Sequence, residues 1–175
     1  QMRGEARLLK KFMKGIGVYG AEIKIGGFSG YLCELLTLHF KSFPNTLKVF
    51  GQHKQRIVVD IENYYKGRAN ELQLLFKEPL VIVDPVDKGR NVASAVRPQK
   101  LHTFVAAARA FLKNPDLRFF YSPETTALTV KELKQEFGRY DSAIVFLTFG
   151  RVDAVPDVLW GQLYKTHRSL RKLIQ

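Results

Sequence analysis

The sequence predicts an α+β fold, in which a helical segment is followed by a mixed region of helices and strands with a small sheet. Apolar residues recur at helical spacing in several stretches, and two short runs rich in β-branched residues stand between those stretches. With 175 residues and 46% hydrophobic content, the chain is long enough to bury a core. We find no internal repeat and no low-complexity tract.

The first predicted helix has an apolar stripe formed by Leu8, Leu9, Phe12 and Met13. Four cations at i, i+3, i+4 and i+7 give the same helix a basic side, namely Arg7, Lys10, Lys11 and Lys14. Six glycines then fall between positions 15 and 30, which favours tight turns and close backbone approach. A second helix is predicted over residues 30–41, and Pro44 with Asn45 predicts a break after it.

Residues 57–61 and 80–84 are predicted strands, joined by a polar connection with Lys66, Gly67 and Arg68 at its middle. Pro98 is suited to the first turn of the next helix, because its missing N–H would be unpaired there in any case. The apolar spacing of that helix predicts a buried face formed by Leu101, Phe104, Val105, Ala108, Phe111 and Leu112.

The last third of the chain begins with a predicted helix over residues 129–137, in which Thr129 and Glu132 have the spacing of a capping box. Residues 143–149 are predicted to form a buried strand. The final helix begins near Pro156, with Leu159, Leu163, Leu170 and Ile174 on its inner side and Lys165, Arg168 and Lys172 on an outer face.

The charge balance points to a polyanionic partner. Lysine and arginine number 28 against 16 acids, so the formal net charge is +12. Nucleic acid is the first candidate and an anionic lipid surface the second. No apolar run has the length of a membrane span and no signal peptide opens the chain, so we expect a soluble, cytoplasmic protein without a membrane partner. The single cysteine, Cys33, lies among leucines and is predicted to be a buried thiol.

The motifs for enzyme chemistry are incomplete, and we predict no catalytic and no metal-binding residue. Residues 15–20 match the letters of a dinucleotide fingerprint, but a basic helix precedes them where a strand is required. The four histidines and Cys33 show no metal-ligand spacing, and Ser29 lacks the context of a serine nucleophile. Asp60 and Glu62 alternate on a predicted strand as a two-metal pair would, yet no phosphate-binding glycine loop precedes them.

A phosphate site is predicted where the chain leaves the strand at residues 80–84. Pro85 redirects the chain, and a short helix is predicted over residues 91–95, with Lys88 and Arg90 beside its first N–H groups. The alternative is a solvated turn in which Asp87 caps the helix. Four tyrosines could stack on unpaired bases or lie half-buried in a core, namely Tyr31, Tyr64, Tyr65 and Tyr121.

Taken together, several segments resemble a known family. They are GIGVYGAE (15–22), GFSGYLCELL (27–36), PLVIVDPVD (79–87) with RNVA (90–93), and PDVLWGQL (156–163). The chain resembles the archaeal-type, class I CCA-adding enzymes, the tRNA nucleotidyltransferases that build the 3′ CCA end from CTP and ATP. Their catalytic head carries a Gly-Ser and an Asp-x-Asp motif, and neither occurs here. We therefore expect a fragment without that head, one that needs Mg²⁺, CTP and ATP only as part of the complete enzyme.

The resemblance implies that residues 1–50 end the central region facing nucleotide and primer, and that residues 51–175 form a tail-like region holding the acceptor-TΨC arm of tRNA. Recognition by shape suits this role, because A-form RNA exposes phosphates and 2′-hydroxyls and hides its base edges in a deep groove. The RNA-binding residues we predict are Lys24, Ser29, Tyr31, Lys88, Arg90, Asn91, Arg97, Lys100, Lys165 and Arg168. Gly26 departs from the family, in which we associate an arginine at this place with reading the incoming base. An independent basic RNA-binding module without an enzymatic role is the alternative, and the sequence leaves open whether the chain forms a homodimer.

This reading predicts that the chain on its own transfers neither CMP nor AMP to tRNA in the presence of magnesium, because the carboxylates and the phosphate loop of the family are absent from it. Incorporation of labelled nucleotide is the measurement. Activity that disappears on changing Asp60 or Glu62 would contradict the prediction.

Overall fold

A computed structural model of the chain describes residues 2–52, 56–122, 127–140, 148, 150 and 152–174. The chain divides into two compact units, Gln1–Ser122 and Pro123–Gln175. The described residues hold seven α-helices, one short 3-10 helix and a two-stranded sheet, which confirms the predicted α+β class. Among them, no helix is both long enough and apolar enough to cross a bilayer.

The first unit contains five helices and both strands. The helices are α1 (Met2–Gly15), α2 (Gly30–Phe40), α3 (Phe43–Gln52), α4 (Ala69–Leu75) and α5 (Pro98–Lys113). The strands are β1 (Ile57–Val59) and β2 (Leu80–Ile82), and the 3-10 helix is Leu117–Phe120. The predicted helices that became α1, α2 and α5 are confirmed, and both predicted strands are present in shorter form.

The sheet is parallel; β2 is buried on both faces, whereas β1 is buried only on the face of Ile57 and Val59, and Val58 between them is exposed. Ile57 pairs with Leu80 and Val59 with Ile82, and these four side chains belong to the main core. On the other face, Val81 packs in a second cluster that includes α4. Helix α4 was not predicted, because a helix of seven residues that buries only Leu72 shows no apolar periodicity in the sequence.

The predicted break at Pro44 is wrong, because Pro44 lies in the first turn of α3. Proline is tolerated there, since the first helical N–H groups have no partner within the helix. The backbone N–H of Phe43 instead donates to the Glu5 carboxylate at 2.7 Å. Helix α3 buries Phe43, Leu47 and Phe50 in the core.

Phe12 of α1 lies at the centre of the main core. Five phenylalanine rings have their centroids 5.4 to 6.3 Å from its own, namely Phe43, Phe104, Phe111, Phe119 and Phe120. Most of these contacts are edge-to-face, the arrangement that aromatic quadrupoles favour. Leu8, predicted to belong to the same stripe, is instead 41% exposed.

The core crosses the boundary that we predicted at residues 50 and 51. Helix α3 packs against α5, and residues on both sides of the boundary share one hydrophobic cluster. The compact units are divided between Ser122 and Pro123 instead. Phe50 and Phe104, on opposite sides of this boundary in sequence, have ring centroids 4.8 Å apart.

The glycine-rich segment after α1 folds into close backbone contacts, as predicted. Residues Tyr19 and Phe28 form an isolated parallel bridge. A Cβ at Gly27 would lie 2.0 Å from the Val18 carbonyl oxygen, so only glycine fits beside that bridge. Cys33 is buried nearby, and its thiol donates to the Met13 sulfur at 3.4 Å. The predicted buried thiol is confirmed, and burial raises the pKa of Cys33 to about 12.

The second unit contains α6 (Val130–Arg139) and α7 (Pro156–Ile174). Thr129 and Glu132 form the predicted capping box, and the hydrogen bonds from Thr129 lower the pKa of Glu132. Leu159, Leu163 and Leu170 of α7 are half-buried. The predicted strand at residues 143–149 lies outside the described residues except for Thr148.

We predict that Phe12→Ala lowers the free energy of unfolding by about 3–5 kcal/mol, because it opens a cavity among five rings. Urea denaturation is the measurement. Leu8→Ala, on the exposed side of the same helix, should change stability by about 0.5 kcal/mol or less. Equal losses in the two variants would mean that Phe12 does not anchor α1.

Candidate nucleic-acid interface

A groove of about 660 Å³ runs between α1 and α2. Three cations from α1 line it, namely Arg3, Arg7 and Lys10, and Tyr31 and Glu34 line it from α2. Arg3, Arg7 and Lys10 are spaced i, i+4 and i+7, which puts them on one face of the helix. The apolar side of α1 is held in the core, so its basic side faces outward along this groove.

Two donors converge at the start of α2. A Cβ at Gly30, the first residue of α2, would lie 3.0 Å from the Tyr19 hydroxyl and 3.6 Å from the Lys10 ammonium. The Tyr19 hydroxyl and the Lys10 ammonium therefore lie close against the Gly30 backbone, and even a Cβ would be crowded by the Tyr19 hydroxyl. The sequence analysis assigned neither Lys10 nor Tyr19 to a site, because only the tertiary fold brings them to Gly30.

Lys10 already has an anionic partner in this structure. Its ammonium lies 2.6 Å from the Glu34 carboxylate, and this hydrogen bond raises the pKa of Lys10. The Glu34 side chain is 58% exposed, so the pair is accessible to solvent and to salt. An RNA phosphate at this position would compete with Glu34 for Lys10.

Ser29 has a structural role in the same turn. It is the N-cap of α2, and its hydroxyl oxygen accepts a hydrogen bond from the backbone N–H of Leu32 at 3.0 Å. Ser29 was predicted to contact RNA, but its side-chain oxygen is engaged in holding the helix start.

The segment of residues 84–91, which we call the β2 loop, is fixed by hydrogen bonds from two tyrosines. The Tyr64 hydroxyl donates to the Pro85 carbonyl at 2.6 Å, and the Tyr65 hydroxyl donates to the Lys88 carbonyl at 2.7 Å. Tyr65 is buried and Tyr64 half-buried, so both have the core role that was the alternative to base stacking. Tyr31 and Tyr121 are 41% and 61% exposed, respectively.

The predicted helix at residues 91–95 is wrong. Residues 92–95 form turns, so no helix N-terminus stands beside Arg90. The alternative is found only in its turn, in which the Asp87 carboxylate accepts from the Gly89 N–H at 2.9 Å; Asp87 caps no helix. The residue at the start of the expected helix, Asn91, has its side chain hydrogen-bonded to backbone groups of β2 inside the protein, and this holds residues 92–95 in turns.

Asn91 is buried, and its side chain bonds only backbone groups among the described residues. Its carbonyl oxygen accepts from the N–H groups of Ile82 at 3.0 Å and Ala93 at 2.9 Å, while its amide donates to the Leu80 carbonyl at 3.0 Å. This geometry ties the β2 loop to the strand. It leaves no part of Asn91 at the surface for the RNA contact that we predicted.

Asp84 connects the β2 loop to α2. One carboxylate oxygen accepts from the Tyr31 hydroxyl at 3.2 Å and from the Val86 N–H at 3.0 Å, and the other lies 3.5 Å from the Arg90 guanidinium. Burial, and next the Asp84 charge, raises the pKa of Tyr31. The predicted site residues Tyr31 and Arg90 are thus brought together by Asp84, and Lys88 is exposed two residues before Arg90 in the same loop.

Arg97 and Lys100, at the start of α5, hold the glycine-rich segment. The Arg97 guanidinium donates to the Ile23 carbonyl, and the Lys100 ammonium donates to the Gly17 carbonyl at 2.8 Å. Gly26 has φ of +60°, and a Cβ there would lie 2.4 Å from Arg97 Nε. Arg97 therefore fills the space of a side chain at position 26, and Lys24 is exposed in the turn just before it.

The remaining candidates are Lys165, Arg168, Asp60 and Glu62. Lys165 and Arg168 are exposed on α7 in the second compact unit. Asp60 and Glu62 follow the end of β1 and so do not alternate on a strand, and the Asp60 carboxylate accepts from the Tyr65 N–H at 2.7 Å. In the described part of the chain, no group of three or more histidine, cysteine, aspartate or glutamate side chains is arranged to hold a metal ion.

Comparison with known proteins gives the family. A family model described as tRNA nucleotidyltransferase, second domain, matches residues 4–121, which is nearly the whole first compact unit. The chain belongs to the tRNA nucleotidyltransferase family. The β2 loop and, apart from Arg3, the residues that line the α1 and α2 groove lie inside the matched region.

Three relatives are named CCA-adding enzyme, which agrees with the predicted resemblance. The protein of Pyrobaculum neutrophilum is 44% identical over 97% of this chain, that of Methanopyrus kandleri 38% over 98%, and that of Methanosarcina barkeri 40% over 98%. These alignments cover 36%, 37% and 36% of the relatives, respectively. The chain thus spans little more than a third of the length of these curated relatives.

We predict that Glu34→Gln strengthens binding of a short RNA about two- to threefold at low salt, because it releases the Lys10 ammonium from its ion pair. Fluorescence anisotropy with labelled RNA is the measurement. Glu71→Gln is the matched control, since it makes the same charge change and breaks the exposed pair with Arg68. Equal gains in both variants would show that only net charge matters and that Lys10 lies outside the interface.

Proposed function

We propose that the protein to which this chain belongs adds CCA to the 3′ end of tRNA from CTP and ATP, and that this chain contributes tRNA-binding surface. The observation that carries the proposal is the row of α1 cations along an open groove, in a chain whose relatives are CCA-adding enzymes. A row of cations on a rigid helix suits the phosphates of a nucleic-acid strand.

The geometry favours RNA recognition by shape and charge. Arg3, Arg7, Lys10 and Lys14 recur at i, i+4, i+7 and i+11, so successive charges follow one side of α1. Phosphate contacts of this kind set the position of an RNA without reading its sequence. A duplex arm offers phosphates and 2′-hydroxyls in a regular A-form arrangement, which supports the acceptor-TΨC arm as the partner.

Different parts of the chain take different roles in this proposal. Residues 1–50 supply the α1 and α2 surface, which faces the primer end of tRNA and the incoming nucleotide. Residues 51–175 supply contacts to the arm, including Arg90 on the β2 loop and the exposed cations Lys165 and Arg168 of α7. This division is one of function, since the core itself continues across residue 50.

The chemical step belongs to the complete enzyme. Nucleotidyl transfer with Mg²⁺ needs paired carboxylates, and Asp60 with Glu62 does not have the geometry of such a pair. We propose that the metal-binding carboxylates lie in the part of the enzyme that corresponds to the rest of the relatives' length. The described residues then bind and orient the tRNA end.

The combined substitution Arg7→Ala, Lys10→Ala and Lys14→Ala should weaken binding of an acceptor-TΨC minihelix and make it less dependent on salt. Each lost phosphate contact should reduce the slope of log K against log salt by about 0.7–0.9. Binding measured by anisotropy from low to moderate salt gives both quantities.

The control is Lys48→Ala, Lys66→Ala and Lys113→Ala, which removes the same charge from three exposed positions outside the groove. If both triple variants bind equally, α1 is not the interface. If the unaltered chain binds other duplex RNA of equal length as well as the minihelix, it is a general RNA-binding module instead of a tRNA-specific one.

A further inference from the structure

Asp84 is a buried carboxylate that joins two exposed side chains distant in sequence. Its side chain is 5% exposed, whereas Arg90 beside it is 64% exposed. Tyr31 reaches the same carboxylate from α2 with its hydroxyl. The side chains of Tyr31 and Arg90 are not part of the hydrogen bonds that fold the β2 loop onto β2, because the Asn91 side chain and backbone groups, including those of Arg90, hold the loop there.

The two carboxylate oxygens of Asp84 have different partners. The oxygen that accepts from Tyr31 also accepts from the Val86 N–H, so it is fixed by the turn itself. The other oxygen faces the Arg90 guanidinium at 3.5 Å. Arginine has a long side chain with many rotamers, and a fixed acceptor restricts which of them is populated.

We propose that Asp84 is a positioning residue for RNA binding, which orients the Arg90 guanidinium and the Tyr31 ring so that they act as one contact. The inference rests on the proposed function, because it takes RNA as the ligand of Arg90. A guanidinium that is already held in position loses less conformational entropy when it binds a phosphate, so the affinity for RNA is higher. This gain in affinity is the physical reason for a buried carboxylate beside an RNA-binding surface.

Whether neutralising Asp84 strengthens or weakens RNA binding distinguishes a positioning role from a purely electrostatic one. A carboxylate repels a polyanion, so if Asp84 acted only through its charge, neutralising it would strengthen RNA binding. If it orients Arg90, neutralising it weakens binding. In Asp84→Asn the amide keeps a carbonyl oxygen for Tyr31 and Val86 but turns an NH2 group toward Arg90, which cannot accept from a guanidinium.

The experiment is a double-mutant cycle with Asp84→Asn and Arg90→Ala, read as minihelix affinity by anisotropy at constant salt. We expect Asp84→Asn to weaken binding about threefold or more in the unaltered chain and to have no such effect in the Arg90→Ala background. Asp87→Asn is the matched control, because it makes the same charge change in the same loop and an asparagine can still cap the Gly89 N–H. It should bind as well as the unaltered chain or better.

Stronger binding by Asp84→Asn, or an equal loss in both backgrounds, would overturn the proposal. Circular dichroism and thermal unfolding show whether Asp84→Asn is folded. If it is not, the cycle of Tyr31→Phe with Arg90→Ala decides, since Tyr31→Phe removes only the hydroxyl that reaches Asp84. Additive losses there would overturn the inference. If Arg90→Ala alone leaves affinity unchanged, the inference also fails, whereas the α1 triple variant tests the proposed function separately.

Discussion

The packing of Phe12 among five other phenylalanine rings determines how α1 is presented to solvent. The rings come from α1, α3, α5 and the 3-10 helix, so one contact region ties together four elements. Protein cores are packed as densely as organic crystals, and α1 cannot rotate about its axis without opening voids. The side of α1 that carries Arg3, Arg7 and Lys10 is consequently kept along the groove.

Buried polar groups fix the second part of the surface in a comparable way. A buried amide or carboxylate is costly unless it is hydrogen-bonded, so Asn91 and Asp84 confine the β2 loop to conformations that satisfy them. Asn91 bonds β2 and the following turn, and Asp84 bonds the turn at Val86. The exposed Arg90 is therefore displayed by a loop whose own hydrogen bonds are complete without any ligand.

The long amphipathic elements were predictable from the sequence because their signals are local. Helices α1 and α5 follow from apolar spacing, and the start of α6 follows from Thr129 and Glu132. Two helices, α3 and α4, were not predicted. Helix α4 has only seven residues, too few for a clear apolar spacing. In α3, a proline is typical both of a break in the chain and of the first turn of a helix, so Pro44 alone does not distinguish the two. Residues 92–95 form turns instead of a helix. The Asn91 side chain bonds backbone groups of Leu80 and Ile82, and these contacts with β2 arise only in the folded chain.

The α+β class, the strongly basic character and the family follow from the amino-acid sequence alone, because each depends on composition or on short ordered motifs. Only the tertiary structure decided which cations and tyrosines belong to one surface. Lys10 and Tyr19 meet at Gly30, and Tyr31 meets Arg90 through Asp84, across separations that periodicity cannot bridge. The tertiary structure also directs the side chains of Asn91, Tyr65 and Arg97 to backbone carbonyls of the protein itself. Polar groups removed from water need such hydrogen-bond partners, and the surrounding backbone supplies them.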